Sequence, residues 1–143
     1  MSVTALEPPE RVFRAMRKAE DGEPSCGSTA NRLGVRPGAD ISPDVGQMVY
    51  PRTGGMSVAP DAVERLPPHV RPRNLPGGFG KLPVYELERA RAGSQLVVRR
   101  DPTNPSRHAF VEPATRMTLD ELQDVLCSTR AEWEEVPTWP RSW

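Results

Sequence analysis

The sequence predicts a single α/β domain of the α+β kind, built from short strands and irregular loops with one helix near its C-terminal end. Three observations predict it. Seventeen prolines and 11 glycines in 143 residues exclude a helical bundle or a long coiled coil, because proline removes a backbone donor and breaks helices. Short runs of aromatic and β-branched residues recur between turn signals. One capping-box pattern, Thr118-Leu119-Asp120-Glu121, opens a helix. A hydrophobic content of 36% supplies one modest core.

The domain is expected over residues 10–136, with tails at 1–9 and 137–143. Trp139 and Trp143 in the second tail are expected to dock, since loose tryptophans are costly. Arg11 to Arg17 alternates and carries Val12 and Phe13, which predicts an early strand, and Asp21-Gly22-Glu23-Pro24 is a turn. Residues 25–46 are dense in Gly, Ser, Pro and Asp and read as irregular, with one short helical turn near Ala30 to Leu33. Gln47 to Tyr50 is a short strand. Residues 67–83 hold five prolines and three glycines, a long irregular loop of the kind that is usually functional. Gln95 to Arg99 and His108 to Glu112 are strands joined through Asp101-Pro102-Thr103-Asn104-Pro105, which allows a hairpin. The helix from Thr118 presents Leu119, Leu122, Val125, Leu126 and Trp133 on one face and is expected to end near Val136.

Charge excludes a whole-chain field: 19 basic residues balance 19 acidic ones. The total hides a +4 over residues 1–100 and a −4 over 101–143. Residues 65–100 hold eight basic groups against Glu86 and Glu88, which is either an anion-binding surface or a solvated basic face. Only Lys18 and Lys81 are lysine; the rest are arginine, from composition bias or from a need for the bidentate fork. Cys26 and Cys127 fit no metal-binding spacing and read as two buried thiols, with a disulfide as the alternative. No apolar run approaches the roughly 20 residues of a membrane span, and the N-terminus lacks a signal-peptide pattern, so a soluble chain is expected.

Neither a phosphate-binding GxxxxGK[ST] nor a GxGxxG, GxSxG or HExxH motif occurs. His69 lies in the long loop and reads as exposed. His108 opens a strand, from which its side chain faces either core or cleft. Thr53-Gly54-Gly55-Met56-Ser57 follows a short strand; its glycines allow close backbone approach to a ligand or simply make a turn. Glu86-Leu87-Glu88 is similar to the paired glutamates of some ADP-ribosyltransferases.

Taken in order, Val12-Phe13-Arg14-Ala15-Met16, Pro51-Arg52-Thr53-Gly54-Gly55-Met56-Ser57-Val58 and His108-Ala109-Phe110-Val111-Glu112-Pro113-Ala114 resemble the type VI secretion toxin family with an ADP-ribosyltransferase-like fold. The resemblance covers residues 11–136 discontinuously. It implies two small sheets around a NAD cleft, catalytic roles for Ser57 and His108, and a NAD-binding set of Arg14, Thr53, Gly54, Gly55 and Ser57. Two positions depart from the family pattern: Met56 replaces a threonine before the serine, and Phe13 replaces a tyrosine before the arginine. Both lose a hydroxyl.

What the resemblance implies is a NAD-dependent ADP-ribosyltransferase toxin with NAD as substrate and no metal. It would pass from the cytoplasm of a producing cell to that of a target cell, act on an acceptor that the sequence leaves open, and be neutralised by an immunity protein. Cleaving NAD leaves positive charge on the ribose, so the protein must fix the pyrophosphate, hold the nicotinamide and steady that charge. Arg14 is expected to clamp phosphate, Ser57 to bond ribose or the nicotinamide amide, and His108 to orient a hydroxyl or act as base. Glu86, Glu88 and Glu112 are the candidates for the carboxylate such enzymes use. A NAD glycohydrolase and a non-catalytic nucleotide- or protein-binding module are the alternatives.

Overall fold

The computed structural model describes residues 7–137 as an α+β structure in which every strand pairing is antiparallel. Trp139 and Trp143, expected to dock, lie outside the described residues. The strands are β1 (Arg11–Ala15), β2 (Met48–Val49), β3 (Met56–Pro60), β4 (Val84–Glu88), β5 (Leu96–Arg100), β6 (Ala109–Pro113), β7 (Met117–Thr118) and β8 (Glu134–Glu135), with one α-helix, α1 (Leu119–Ser128). Six of the strands form a sheet in the order β5-β6-β3-β1-β4-β8, and β2 pairs with β7 in a separate two-stranded ribbon.

Strand alternation sorts the core into two clusters. Val12 and Phe13 are adjacent in β1, so they point to opposite faces. Val12 joins Met56, Val58, Tyr85, Leu87, Val98, Val111, Leu122 and Leu126 in the larger cluster, which α1 covers. Phe13 joins Ala15, Ala59, Leu66 and Val84 in a smaller one, together with Val63, Val70 and Leu82 from the segment between β3 and β4. The long irregular loop is therefore the lid of a second, minor core.

The hairpin expected from the turn at Asp101 is present, with Val98 opposite Val111 and Arg100 opposite Ala109. The capping box is also present: Glu121 N–H donates to Thr118 Oγ1 at 3.1 Å and Thr118 N–H to Glu121 Oε1 at 2.9 Å. Burying Leu122 and Leu126 contributes about 1.5–3 kcal/mol each. The helix stops well before Val136, however. It ends at Ser128, a single 3₁₀ turn follows over Arg130–Glu132, and Glu134–Glu135 becomes the edge strand β8. Thr129 makes the break, because its hydroxyl bonds back to the Leu126 carbonyl (2.6 Å) and accepts from Trp133 Nε1 (3.0 Å). Trp133 is thus buried by a turn rather than by a continuing helix face.

Two further expectations change. Cys26 and Cys127 are not separate thiols; they form a disulfide that ties the irregular 25–46 segment to α1. The segment near Ala30 to Leu33 makes a turn, closed by Arg32 N–H on the Thr29 carbonyl at 3.3 Å, and not a helix. Gln123 adds a second tie, accepting the Val35 N–H (3.0 Å) and donating to the Val35 carbonyl (2.8 Å).

Candidate functional site

The site begins where the sheet comes apart. β3 pairs with β6 through Met56–Val58 and with β1 only through Ala59 and Pro60. Pairing between β1 and β3 ends at Phe13 opposite Ala59, and beyond it the Arg14 side chain bridges the two strands. Its Nη1 donates to the Ser57 carbonyl at 2.6 Å, while Nε and Nη2 donate to the Arg32 carbonyl at 3.1 and 2.8 Å. Longer bonds reach the carbonyls of Thr29 and Gly34. Arg14 is 6% exposed, and burial pushes its pKa down to about 10, a loss that Asp40 partly offsets, so it remains charged at neutral pH.

A cleft of about 320 Å³ opens along this division. Phe13, Ala59, Leu66 and Val70 make its apolar walls, and Arg14, Ser57 and His108 all line it. Residues from β1, β3 and the turn before β6 therefore meet at one place. His69, Arg36 and Arg107 complete its polar rim. The Ser57 hydroxyl and the side chains of His69 and Arg107 make no hydrogen bond or ion pair to any described residue, which leaves them free for a ligand.

His108 is held from behind. Its Nδ1 lies 2.8 Å from Asp101 Oδ2, and the Asp101 N–H donates to the His108 carbonyl at 2.9 Å. Thr103 fixes the other carboxylate oxygen through its N–H (2.9 Å) and hydroxyl (2.7 Å). Burial raises the Asp101 pKa, but the bonds from His108 and Thr103 together outweigh it and leave the carboxyl below its ordinary value. Phe110 packs edge-on against the imidazole, at 4.8 Å between ring centroids.

No protein-family model, curated protein or solved structure matches the chain.

The remaining expected site residues lie elsewhere. Thr53, Gly54 and Gly55 are not among the residues lining this cleft. A Cβ on Gly54, whose φ is +131°, would come within 2.2 Å of the Asp40 carbonyl, and one on Gly55 within 2.6 Å of the Val111 carbonyl. Both glycines thus serve close approach by the protein's own backbone, and Thr53 Oγ1 caps the turn by donating to the Tyr50 carbonyl at 2.7 Å. Arg14 stays in the cleft wall, but its guanidinium is bound by carbonyls rather than presented as a phosphate fork.

None of the three candidate glutamates lines the cleft. Glu86 pairs with Arg11, and Glu88 is exposed at the end of β4. Glu112 is 2% exposed and accepts from Arg99 Nε with both oxygens, at 3.0 and 3.1 Å, and from the Arg52 N–H at 3.2 Å, in a separate hollow beside β5. The basic run from 65 to 100 is similarly committed. Arg65 and Arg100 hold Asp61, Arg71 bonds the carbonyls of Leu66 and Pro76, Arg89 bonds that of Pro9, Arg91 faces Glu132 and Arg99 holds Glu112. Among the described residues only Arg73 and Lys81 of that run, which line a separate hollow, lack such a partner.

Sequence reasoning missed Asp101, Arg107 and His69 as site residues. Asp101 carried a usable signal: an Asp-Pro-Thr turn seven residues before a strand-opening histidine brings carboxylate and imidazole to the same end of a hairpin. Among the described residues, no helix is long and apolar enough to cross a membrane.

Proposed function

We propose that the chain is the catalytic domain of a bacterial toxin that breaks the nicotinamide–ribose bond of NAD and passes ADP-ribose to an acceptor inside a target cell. The observation that carries this reading is the convergence of Ser57 and His108, distant in sequence, on one apolar-walled cleft at the division of the sheet. The fit to NAD rests on three features of that cleft. Its walls of Phe13, Ala59 and Leu66 can pack against the flat faces of the nicotinamide ring. The unpartnered Ser57 hydroxyl can bond the carboxamide or a ribose hydroxyl. Arg107 and Arg36 supply positive charge at the rim, the role expected of Arg14, although Asp40 already pairs with Arg36 at 3.0 Å.

Hydrolysis of NAD, with water as acceptor, is the second reading. It is favoured by the lack of any carboxylate among the described residues lining the cleft, because the resemblance implies a glutamate for transfer and none of Glu86, Glu88 and Glu112 lines it. In either reading an immunity protein protects the producer by covering the cleft, and its acidic groups would address Arg107 at the rim. Affinity between the two would then fall with salt.

Purified protein incubated with labelled NAD tests the proposal. Release of nicotinamide is expected, and Ser57→Ala and His108→Ala should each lower it by roughly 100-fold or more, the range for loss of a positioned hydroxyl or base. Label appearing on a macromolecule identifies transfer, and free ADP-ribose alone identifies hydrolysis. No release by wild type, with toxicity untouched by both substitutions, would leave a non-catalytic binding module.

A further inference from the structure

The geometry points to Asp101 as a positioning residue that fixes the tautomer of His108 and leaves Nε2 as the proton acceptor of the cleft. The role in turnover rests on the proposed NAD chemistry; the tautomer itself does not.

Oδ1 of Asp101 receives two donors, the Thr103 N–H and hydroxyl, at 2.9 and 2.7 Å. A backbone N–H can only donate, so Oδ1 must be an acceptor. Oδ2 lies 2.8 Å from His108 Nδ1, and a carboxylate below its ordinary pKa is an acceptor there as well. The proton between them therefore sits on Nδ1. In the neutral imidazole Nε2 is then bare, and His108 is among the residues lining the cleft. The backbone repeats the pairing, because the Asp101 N–H bonds the His108 carbonyl at 2.9 Å and locks the two residues in register. Phe110 closes the ring from the side.

For ADP-ribosyl transfer this arrangement supplies a defined proton path. The C1′–N bond to nicotinamide breaks with its electron pair leaving on the nicotinamide nitrogen. The acceptor, water or a hydroxyl, forms the new C1′–O bond, and its proton passes to His108 Nε2. Asp101 stabilises the imidazolium so formed and touches no reacting atom. The charged or titratable groups that share the cleft with His108 are Arg14, Arg36, His69 and Arg107, so His108 shares it with three guanidinium groups and Asp101 is the counter-charge in direct contact.

Asp101→Asn makes the distinguishing variant. The Thr103 N–H keeps the amide oxygen of the new side chain on its own side, which turns the NH₂ toward His108 Nδ1. That nitrogen must then accept, and the proton moves to Nε2. ¹⁵N spectra of histidine-labelled protein read this directly, at a pH where the imidazole is neutral. The chain has two histidines, so a His69→Gln background assigns the signals. Wild type is expected to show protonated Nδ1 and bare Nε2, and Asp101→Asn the reverse. Nicotinamide release by Asp101→Asn should fall on the order of 100-fold in kcat with KM little changed, the scale of losing a general base. Its rate should also lose the rise with pH that follows deprotonation of Nε2.

Wild-type protein with the proton on Nε2, or an Asp101→Asn variant that keeps both tautomer and rate, overturns the inference. The wild-type spectrum decides even where the variant does not fold. If wild type releases no nicotinamide, the proposed function fails while the spectra still judge the Asp101–His108 pair.

Discussion

At the scale of single residues, the most informative is Arg14, because sequence and structure give it different work. The sequence offers a guanidinium next to an aromatic residue on an early strand, a natural phosphate clamp. The fold commits that guanidinium to the Ser57 carbonyl, where β1 and β3 part, and to the Arg32 carbonyl of the irregular 25–46 segment. Arg14→Met should therefore act first on stability, by about 1–3 kcal/mol for each buried carbonyl left unpaired, read from the urea midpoint. A phosphate clamp would instead show a raised KM for NAD with the midpoint unchanged. Acid titration probes a second group of residues. Arg100 holds Asp61 below its ordinary pKa, Glu23 N–H does the same for Asp21, Tyr50 for Asp44 and Thr118 for Glu121. A carboxylate depressed in the folded state contributes stability that is present above its unfolded value and lost as pH falls through the folded one. Thermal midpoints should hold down to about pH 5 and drop progressively below about pH 4, the drop being shallower in Asp61→Asn.

Elements divide by how much of their cause is local. The β5–β6 hairpin and the start of α1 were legible because turn chemistry, alternation and a capping box lie within a few residues of one another. Thr118→Ala should accordingly cost about 1 kcal/mol by urea titration. β4 was not legible, since Glu86 and Glu88 make it look like a charged surface segment; yet Tyr85 and Leu87 alternate with them into the main core. β3 was hidden by the glycines before it and by Pro60, and its role as the shared strand depends on two partners far away in sequence. The end of α1 was misplaced because Trp133 satisfies a helical spacing while it packs from a 3₁₀ turn. The site was half legible for the same reason: Ser57 and His108 sit at strand positions with recognisable flanks, whereas Asp101 and Arg107 become site residues only once the hairpin folds. Gly54 and Gly55 test the element view. Gly54→Ala must place a β-carbon against the Asp40 carbonyl at a left-handed φ, so it should lower stability by more than about 1 kcal/mol, and nicotinamide release per folded molecule should stay near wild type.

At the scale of the whole molecule, the weak point is that much of the chain has no regular structure, and the irregular 25–46 segment supplies the carbonyls that, with that of Ser57, hold Arg14 in the cleft wall. Two ties keep that segment on the helix: Gln123 on Val35, and the Cys26–Cys127 disulfide, whose partners are separated by 101 positions. Closing so long a loop removes much freedom from the unfolded chain, and losing such a bridge typically costs about 2–5 kcal/mol. That is a large share of the stability of a small domain, about 5–15 kcal/mol in general. The bridge also has a cellular consequence, because disulfides persist in oxidising compartments and are reduced in most cytoplasms. A domain that works inside a target cell would meet reductant there and would have to keep its cleft on Gln123 and packing alone. Cys26→Ser with Cys127→Ser, or wild type with excess dithiothreitol, should show a lower thermal midpoint. The two treatments should agree, since reduction and substitution remove the same covalent tie. Nicotinamide release should then decline in step with the loosening of the 25–46 segment, measured as loss of hydrogen-exchange protection at the Leu33 and Val35 amides, which bond the Ser25 carbonyl and Gln123. A midpoint unchanged by both treatments would mean that packing of Leu33, Val35 and Ile41 into the main core suffices, and that the cleft survives reduction intact.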